Sequence, residues 1–217
     1  MLDFSILSNY KQEFLSGFAI TLEVSLMALV GSFILGAILA VMRLAPFKPL
    51  NVLSRIYVEF IRNTPILIQV FFFYFGLPAL GIQLTPFVSG TLGLTVYTGA
   101  FIAEVIRAGI QSVPQGQMEA GRASGLTYMQ TMRYIILPQA VKIVIPALGN
   151  QFLNLVKNSA VLAVISGGDL MYQGDIVSSN TFVVFDVYIF VAMFYLLITI
   201  PLSIFVNLLE HRLAKTG

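Results

Sequence analysis

The feature that most constrains this 217-residue chain is a series of long apolar segments separated by short polar breaks. A helix needs about 20 predominantly apolar residues to cross the hydrocarbon core of a bilayer. Charged residues make up only 10% of the chain, whereas a soluble domain typically has about 25%. We therefore predict an all-α integral membrane protein with one transmembrane domain over residues 1–217 and five transmembrane helices, at about 15–42, 56–80, 85–106, 140–165 and 183–209.

The uneven distribution of basic residues between these spans predicts the orientation of the chain. Lysine and arginine favour the cytoplasmic side of a membrane. They cluster after the first, third and fifth spans, at Arg43, Lys48, Arg55, Arg107, Arg122, Arg133, Arg212 and Lys215. The opposite side carries Lys11 together with the acidic residues Asp3, Glu13, Asp169, Asp175 and Asp186. We expect a multi-pass protein with an external N-terminus, a cytoplasmic C-terminus and a cytoplasmic loop at 107–139.

Composition also limits the chemistry that the chain can carry. It has no cysteine and one histidine, His211 near the C-terminus, so we predict no catalytic residue and no metal site. The formal charge of +2 is too small to favour nucleic acid as a partner. A phosphate-binding G-x-x-x-x-G-K-[ST] motif does not occur in the sequence, so the chain cannot hold a nucleotide in that way, and if ATP powers it, another subunit binds the ATP. Besides an ATP-driven transporter, the composition allows a secondary transporter or a scaffold subunit. The inverted repeats that are usual in secondary transporters are not evident in the sequence.

The loop at 107–139 contains more residues than a simple connection between two helices needs. Residues 117–124 favour a helix, with Glu119 near its N-terminus, where a carboxylate stabilises the helix dipole. Gly125 can adopt the positive φ that ends a helix, and Thr127 can cap a second helix at 128–136. Pro138 is expected to stop that second helix. Two short helices of this kind predict a compact docking element in the cytoplasm.

The spacing within this loop resembles a motif of a known family. Glu119-Ala120-Gly121, three further residues, Gly125, nine further residues and Ile135-Ile136-Leu137-Pro138 are similar to the EAA loop (E-A-A, x3, G, x9, I-x-L-P) of the membrane subunits of ATP-binding-cassette (ABC) importers. Gly121 replaces the second alanine, and we expect it to soften the first helix. Stretches at 59–69, 72–78, 103–110 and 114–120 resemble the polar amino-acid uptake permeases in particular. Residues 157–160, KNSA, match more loosely, because the family usually has K-D-T-S there.

The resemblance implies a fold like that of a type I ABC importer, with a cytoplasmic coupling helix. The implied coupling residues are Glu119, Ala120, Gly121, Gly125, Leu137 and Pro138, which would contact a dimer of ABC ATPase subunits that binds ATP and Mg²⁺. No cofactor is expected in this chain. A second permease subunit, identical or related, and an external solute-binding protein complete the implied assembly in the lipid of the bacterial plasma (inner) membrane. The implied substrate is a polar L-amino acid; the external acidic residues and Glu23 favour arginine, lysine or histidine, with glutamine next.

Polar residues within the spans form a candidate substrate pathway, since ionisable groups at membrane depth usually face a bundle interior or water. Asn150, Asn154, Lys157 and Asn158 recur at helical spacing along the fourth span. Glu23, Asn63, Gln69 and Tyr97 add polar groups from the first three spans. As an alternative, Glu59–Arg62 and Glu104–Arg107 form structural ion pairs at i,i+3, and the amides hydrogen-bond between helices. The sequence leaves both interpretations open.

Overall fold

The computed structural model describes residues 2–214, which are almost entirely helical and contain no β-strand. Met1 and residues 215–217 lie outside the described part, and with them Lys215 of the predicted charge distribution. The α-helices are α1 (Phe4–Asn9), α2 (Lys11–Leu44), α3 (Lys48–Arg62), α4 (Ile66–Phe71), α5 (Pro86–Gln111), α6 (Gln115–Ala123), α7 (Tyr128–Thr131), α8 (Leu137–Asn158), α9 (Leu170–Thr181) and α10 (Val184–Ala214). Irregular turns extend three of them: a π-turn at Phe72–Gly76 with a 3-10 turn at Leu77–Leu80, a π-turn at Met132–Ile136, and a 3-10 turn at Ser159–Ile165.

Within the described residues, four helices are long and apolar enough to cross a membrane: α2, α5, the continuous helix over residues 128–165, and α10. A fifth crossing requires α3 and the helix over residues 66–80 to be counted together, and these two are bent by 105° at the break between them. The predicted span at 56–80 therefore corresponds to a broken pair of helices rather than to one straight helix. Pro65 explains the break, because its ring disfavours a helical conformation of the preceding residue and it has no N–H to continue the α3 ladder.

A buried side chain stabilises the bend between α3 and α4. The Nε2 group of Gln69 donates to the carbonyl oxygens of Ile61 and Thr64, at 3.0 and 3.1 Å. These bonds satisfy acceptors that the end of a helix otherwise leaves open. On its outer face α3 exposes a row of large apolar side chains, Val52, Leu53, Ile56 and Phe60. Such an exposed apolar row is typical of a helix that lies in the membrane interface.

The centre of the bundle is the contact between α2 and α5, where small residues allow a close approach. A Cβ atom at Gly36 would lie 2.5 Å from Ile102 Cγ2, so only glycine permits this helix separation. Gly90 has the same role toward the turn that follows α8, where a Cβ atom would lie 2.4 Å from Leu162 Cγ. Close packing of this kind holds membrane helices together where lipid provides no hydrophobic driving force.

The helix that contains the fourth predicted span begins before that span, since it runs from Tyr128 through Pro138 to Ile165. The prediction that Pro138 stops a helix is therefore wrong. A proline in a helix lacks the N–H that would bond the carbonyl four residues earlier, and its ring crowds that carbonyl. The π-turn at Met132–Ile136 widens the helix directly before Pro138 and accommodates both effects. As a consequence, α7 and α8 are joined end to end by helical structure.

A buried carboxyl group lies at the start of α9, after the other end of this helix. Asp169 has no exposed surface, and its Oδ2 accepts a hydrogen bond from Met171 N at 3.0 Å. Its Oδ1 has no hydrogen-bond partner among the described residues. The N–H of Leu170 donates to Thr21 Oγ1 of α2 at 3.0 Å, which fixes the start of α9 against α2. Burial raises the pKa of the Asp169 carboxyl to about 7.

We expect this carboxyl group to make the folded protein more stable at pH 5 than at pH 8. An unfolded aspartate loses its proton near pH 4, whereas native Asp169 keeps it up to a pKa of about 7, so the free energy of unfolding falls as pH rises between these values. Asp169→Asn should remove this dependence in thermal unfolding of the detergent-solubilised protein. Asp186→Asn is the control, because Asp186 accepts a hydrogen bond at an exposed site. An unchanged pH profile in Asp169→Asn would contradict the assignment.

Candidate functional site

A polar cavity of about 280 Å³ lies between α5 and α8. It is lined by Tyr97, Thr98 and Phe101 of α5 and by Gln151, Asn154, Leu155 and Asn158 of α8. Spacings of three and four residues place the lining side chains of each helix on one face. We call it the amide cavity, because three of the lining side chains are carboxamides, which can both donate and accept hydrogen bonds.

Three of the predicted pathway residues, Tyr97, Asn154 and Asn158, line the amide cavity. Sequence reasoning missed Gln151, Phe101 and Thr98. Helical spacing was the available signal for the first two, because Gln151 lies three residues before Asn154 and Phe101 lies four residues after Tyr97. Thr98 is buried and carries no such signal. The cavity therefore depends on how α5 and α8 face each other.

The remaining predicted pathway residues do not line the amide cavity. Asn150 and Lys157 are exposed on the neighbouring part of α8. Glu23 is exposed on the face of α2 opposite to its buried residues. Asn63 and Gln69 lie at the α3–α4 break, where Asn63 Nδ2 donates to a backbone carbonyl of α3 at 2.7 Å. The structure thus brings together the α5 and α8 residues, and leaves those of α2, α3 and α4 apart from them.

Glu104, three residues beyond Phe101 on α5, is the centre of a charge cluster. Its carboxylate pairs with Arg107 of the same helix, whose Nε donates at 3.1 Å, and with Arg43 at the end of α2. Arg62, at the end of α3, lies 3.9 Å from the same carboxylate. The structure contains the Glu104–Arg107 pair that the i,i+3 spacing predicts, and Glu104 also links three helices.

The other predicted ion pair, Glu59–Arg62, is not formed among the described residues. Arg62 instead faces Glu104, and its guanidinium carbon lies 5.3 Å from the centroid of the Phe101 ring. A cation over an aromatic face at this distance is attracted by the ring quadrupole. Arg62 is the last residue of α3, so its side chain is free to reach α5 rather than return along its own helix.

The loop between α5 and α8 forms a compact element of α6, α7 and the following π-turn, which we call the knob (residues 115–136). Gly125 has a φ of +86°. Its N–H and that of Leu126 donate to carbonyls in the last turn of α6, at 3.1 and 3.2 Å, which is a Schellman motif. Thr127 and Gln130 form a reciprocal capping box that starts α7. The positive φ at Gly125 and the cap at Thr127 agree with the sequence-based expectation.

Gly121 is buried where α6 contacts the helix that follows it. A Cβ atom there would lie 2.5 Å from Thr131 Cγ2 and 3.0 Å from Ile135 Cδ1, and Thr131 itself has no exposed surface. The departure from alanine in the EAA pattern is therefore a packing requirement of this chain. The other predicted coupling residues beside Gly125, namely Glu119, Ala120, Leu137 and Pro138, are exposed and accessible to a partner.

Comparison with known proteins identifies the family of this chain. Residues 32–215 match the family described as the inner membrane component of binding-protein-dependent transport systems. The chain belongs to this family. It is 64% identical over 212 residues to the probable glutamine ABC transporter permease protein GlnM of Bacillus subtilis, with 98% of each chain covered. It is 34% identical over 201 residues to the glutamine transport system permease protein GlnP of Escherichia coli, with 92% of each chain covered.

Solved structures agree with the architecture. A crystal structure of an amino acid ABC transporter with histidines contains a chain that is 39% identical and superimposes with a TM-score of 0.92, over 98% of this chain and 99% of that one. An inward-facing structure of the MetNI methionine ABC transporter gives a TM-score of 0.67 at 22% identity, over 95% of this chain and 99% of that one, which supports the fold alone. The predicted all-α fold of a type I ABC importer permease is confirmed. The permease is a non-catalytic, inner-membrane subunit of an amino-acid ABC importer.

Proposed function

We propose that this permease forms, with a second permease subunit, the transmembrane pathway for a polar amino acid, and that this amino acid is glutamine. The observation that carries the proposal is the amide cavity, with carboxamide, hydroxyl and aromatic side chains between two membrane helices. Polar groups at this depth are costly unless they face each other, water or a substrate. The carboxamides of Asn154 and Asn158 complement the side-chain amide of glutamine, since each group donates and accepts.

A neutral amide substrate suits this cavity better than a basic one. An arginine or lysine side chain away from bulk water requires a carboxylate beside its charge, and the described lining of the cavity contains none. The presence of Glu23 in the sequence favours a basic substrate, but Glu23 is exposed on the face of α2 opposite to its buried residues. The relatives named as glutamine permeases also support glutamine as the substrate. Arginine, lysine and histidine therefore rank behind glutamine.

The knob is the proposed contact with the ATPase. Its exposed surface combines Glu119 and Ala120 with the apolar side chains of Tyr128 and Met129, which are 53% and 70% exposed. An apolar centre with a polar surround is typical of a protein interface. Helical structure is continuous from Tyr128 to Ile165, so a displacement of the knob is transmitted along the same helix to Asn154 and Asn158. This connection gives the ATPase cycle a mechanical route to the amide cavity.

The complete importer in this proposal has two permease subunits, identical or related, and an ATPase dimer that binds ATP and Mg²⁺. The N-terminus lies outside the bacterial plasma membrane, and the knob and the C-terminus lie in the cytoplasm. An external solute-binding protein delivers the amino acid to the outer face. Closure of the ATPase dimer on ATP moves the knobs and turns the pathway outward, and hydrolysis returns it to the inward-facing state.

Asn154→Leu should weaken glutamine binding to the purified permease–ATPase complex by roughly tenfold. The substitution removes up to two hydrogen bonds to the substrate, each worth about 0.5–1.5 kcal/mol. Binding of radiolabelled glutamine measures this effect directly. Asn180→Leu in α9 is the matched control, since Asn180 is an exposed amide that does not line the cavity. Equal affinity in the Asn154→Leu and unmodified complexes would contradict the cavity assignment, and displacement by arginine as effective as by glutamine would contradict the preference for glutamine.

A further inference from the structure

The amide cavity has no positively charged side chain for the carboxylate that every α-amino acid carries. Its described lining consists of three carboxamides, two hydroxyl-bearing side chains, Phe101 and Leu155. A carboxylate that leaves water requires charge-assisted hydrogen bonds to compensate for its lost hydration. A partner for the substrate carboxylate on this subunit must therefore lie at the rim of the cavity rather than in its lining.

Arg62 lies at that rim. Its guanidinium carbon is 5.3 Å from the centroid of the Phe101 ring, and Phe101 both lines the cavity and lies 4.9 Å, centroid to centroid, from Tyr97. The Arg62 side chain keeps 34% of its surface exposed. A cation held over a cavity-lining ring and still accessible can reach a ligand that extends past that ring.

Among the three arginines that share Glu104, Arg62 is the one least engaged by it. Arg43 and Arg107 both donate hydrogen bonds to the Glu104 carboxylate. The nearest approach of Arg62 Nη1 is 3.9 Å, which exceeds hydrogen-bond length. Glu59 also acts electrostatically on Arg107, so three guanidinium groups face two carboxylates. The cluster keeps a net positive charge that favours an anion beside Arg62.

Lys157 is the other cation near the cavity, and it is less suited to this role. It is exposed on α8 but does not line the cavity, although its neighbour Asn158 does. Its ammonium group is also a point charge and cannot form the planar, bidentate pair that a guanidinium makes with a carboxylate. The geometry favours Arg62, on the α5 side of the cavity.

We propose that Arg62 is a substrate-binding residue of the permease, which holds the α-carboxylate while the amide cavity holds the amino-acid side chain. This inference rests on the proposed function of the cavity. A bidentate pair fixes the orientation of the carboxylate. Arg62 then selects for a free α-carboxylate, whereas the carboxamides select among side chains. The two requirements are separable by changing one end of the ligand at a time.

The test compares glutamine with glutaminamide, in which a neutral amide replaces the α-carboxylate, on the purified permease–ATPase complex without binding protein. The unmodified complex should bind glutamine at least tenfold more tightly. Arg62→Gln should weaken glutamine binding by roughly ten- to a hundredfold and leave glutaminamide almost unchanged, so that the preference between the two ligands disappears. Arg55→Gln is the matched control, because Arg55 is an exposed arginine on the same helix as Arg62 and does not line the cavity.

A purely structural role for Arg62 makes a different prediction. In that case Arg62→Gln would lower the affinity for both ligands equally, or lower only the thermal stability. An unchanged preference for glutamine over glutaminamide in Arg62→Gln would therefore overturn the proposal. Arg62→Lys is the second variant, for the case in which Arg62→Gln does not assemble. It keeps the charge but loses the bidentate geometry, so the preference for glutamine over glutaminamide should shrink several-fold. An unchanged preference in Arg62→Lys would again contradict the proposal. Loss of glutamine binding in Asn154→Leu with an unchanged preference in Arg62→Gln would refute Arg62 alone and leave the cavity intact.

Discussion

Gly121→Ala is expected to reduce both glutamine uptake and binding-protein-stimulated ATP hydrolysis by roughly tenfold, because it breaks the packing of the knob. The added Cβ atom would lie 2.5 Å from Thr131 Cγ2, and Thr131 is fully buried, so α6 must move away from the helix behind it. Overpacking of a buried contact typically costs about 1–3 kcal/mol. The displaced helix carries Glu119 and Ala120, which we propose to contact the ATPase. Uptake into proteoliposomes and stimulated ATPase activity of the reconstituted importer are the two measurements.

Two further variants separate this packing effect from a general effect of removing glycine. Gly116→Ala lies in the same helix, has an ordinary φ and would place its Cβ in open space, so activity should be unchanged. Thr131→Ser removes Cγ2 but keeps the hydroxyl that donates to the Thr127 carbonyl at 3.0 Å. Because Ile135 Cδ1 would still lie 3.0 Å from the added Cβ, Thr131→Ser should restore part of the activity in the Gly121→Ala background. Full activity of Gly121→Ala alone would show that the knob tolerates displacement of α6, and the coupling argument would lose its main support.

The all-α fold and the turn chemistry of the knob are readable from sequence because each depends on local properties. Span length follows from the thickness of the bilayer, and the end of α6 follows from the ability of Gly125 to adopt a φ of +86°. The Glu104–Arg107 pair also follows from spacing on one helix. Local rules suffice wherever the interacting groups are within about one helical turn of each other.

Two prolines affect the predicted helices in ways that depend on their surroundings, and only the prediction for Pro138 is wrong. Pro65 breaks its helix, and Gln69 then satisfies the carbonyls released at the break. Pro138 remains inside a continuous helix, because a π-turn precedes it. A hydropathy window detects an apolar stretch in both cases, but it contains no information on the direction of the helix axis. The 105° bend at the first break is therefore invisible to it.

The amide cavity and the charge cluster could be predicted only in part, since both depend on contacts between distant segments. Arg43 and Glu104 are 61 positions apart, and no periodicity connects them. The polar stripe of α8 includes Asn150 and Lys157 as well as Asn154, and the position of α5 determines which of these side chains borders the cavity. Pairwise spacing consequently identifies candidate residues, while tertiary packing decides which of them meet.

Asn158→Asp is expected to change the substrate preference from glutamine to basic amino acids. Asn158 lines the amide cavity, at the position that corresponds to the aspartate of the K-D-T-S pattern that residues 157–160 resemble. A carboxylate there could pair with a guanidinium or ammonium group of the substrate, an interaction worth about 1.5–3 kcal/mol for a charged hydrogen bond. The substitution would also remove the amide N–H donor of Asn158 that we propose binds glutamine. Arginine or lysine binding should therefore rise about tenfold or more, and glutamine binding should fall by a similar factor.

Competition among radiolabelled glutamine, arginine and lysine on the purified permease–ATPase complex measures this exchange without the selectivity of the external binding protein. Asn180→Asp is the control, since it introduces the same charge at an exposed site outside the cavity. If the cavity selects the substrate side chain, the preference for glutamine should change in Asn158→Asp and stay the same in Asn180→Asp. If both variants keep the preference for glutamine, side-chain selection resides in the binding protein, and the amide cavity serves only as a passage.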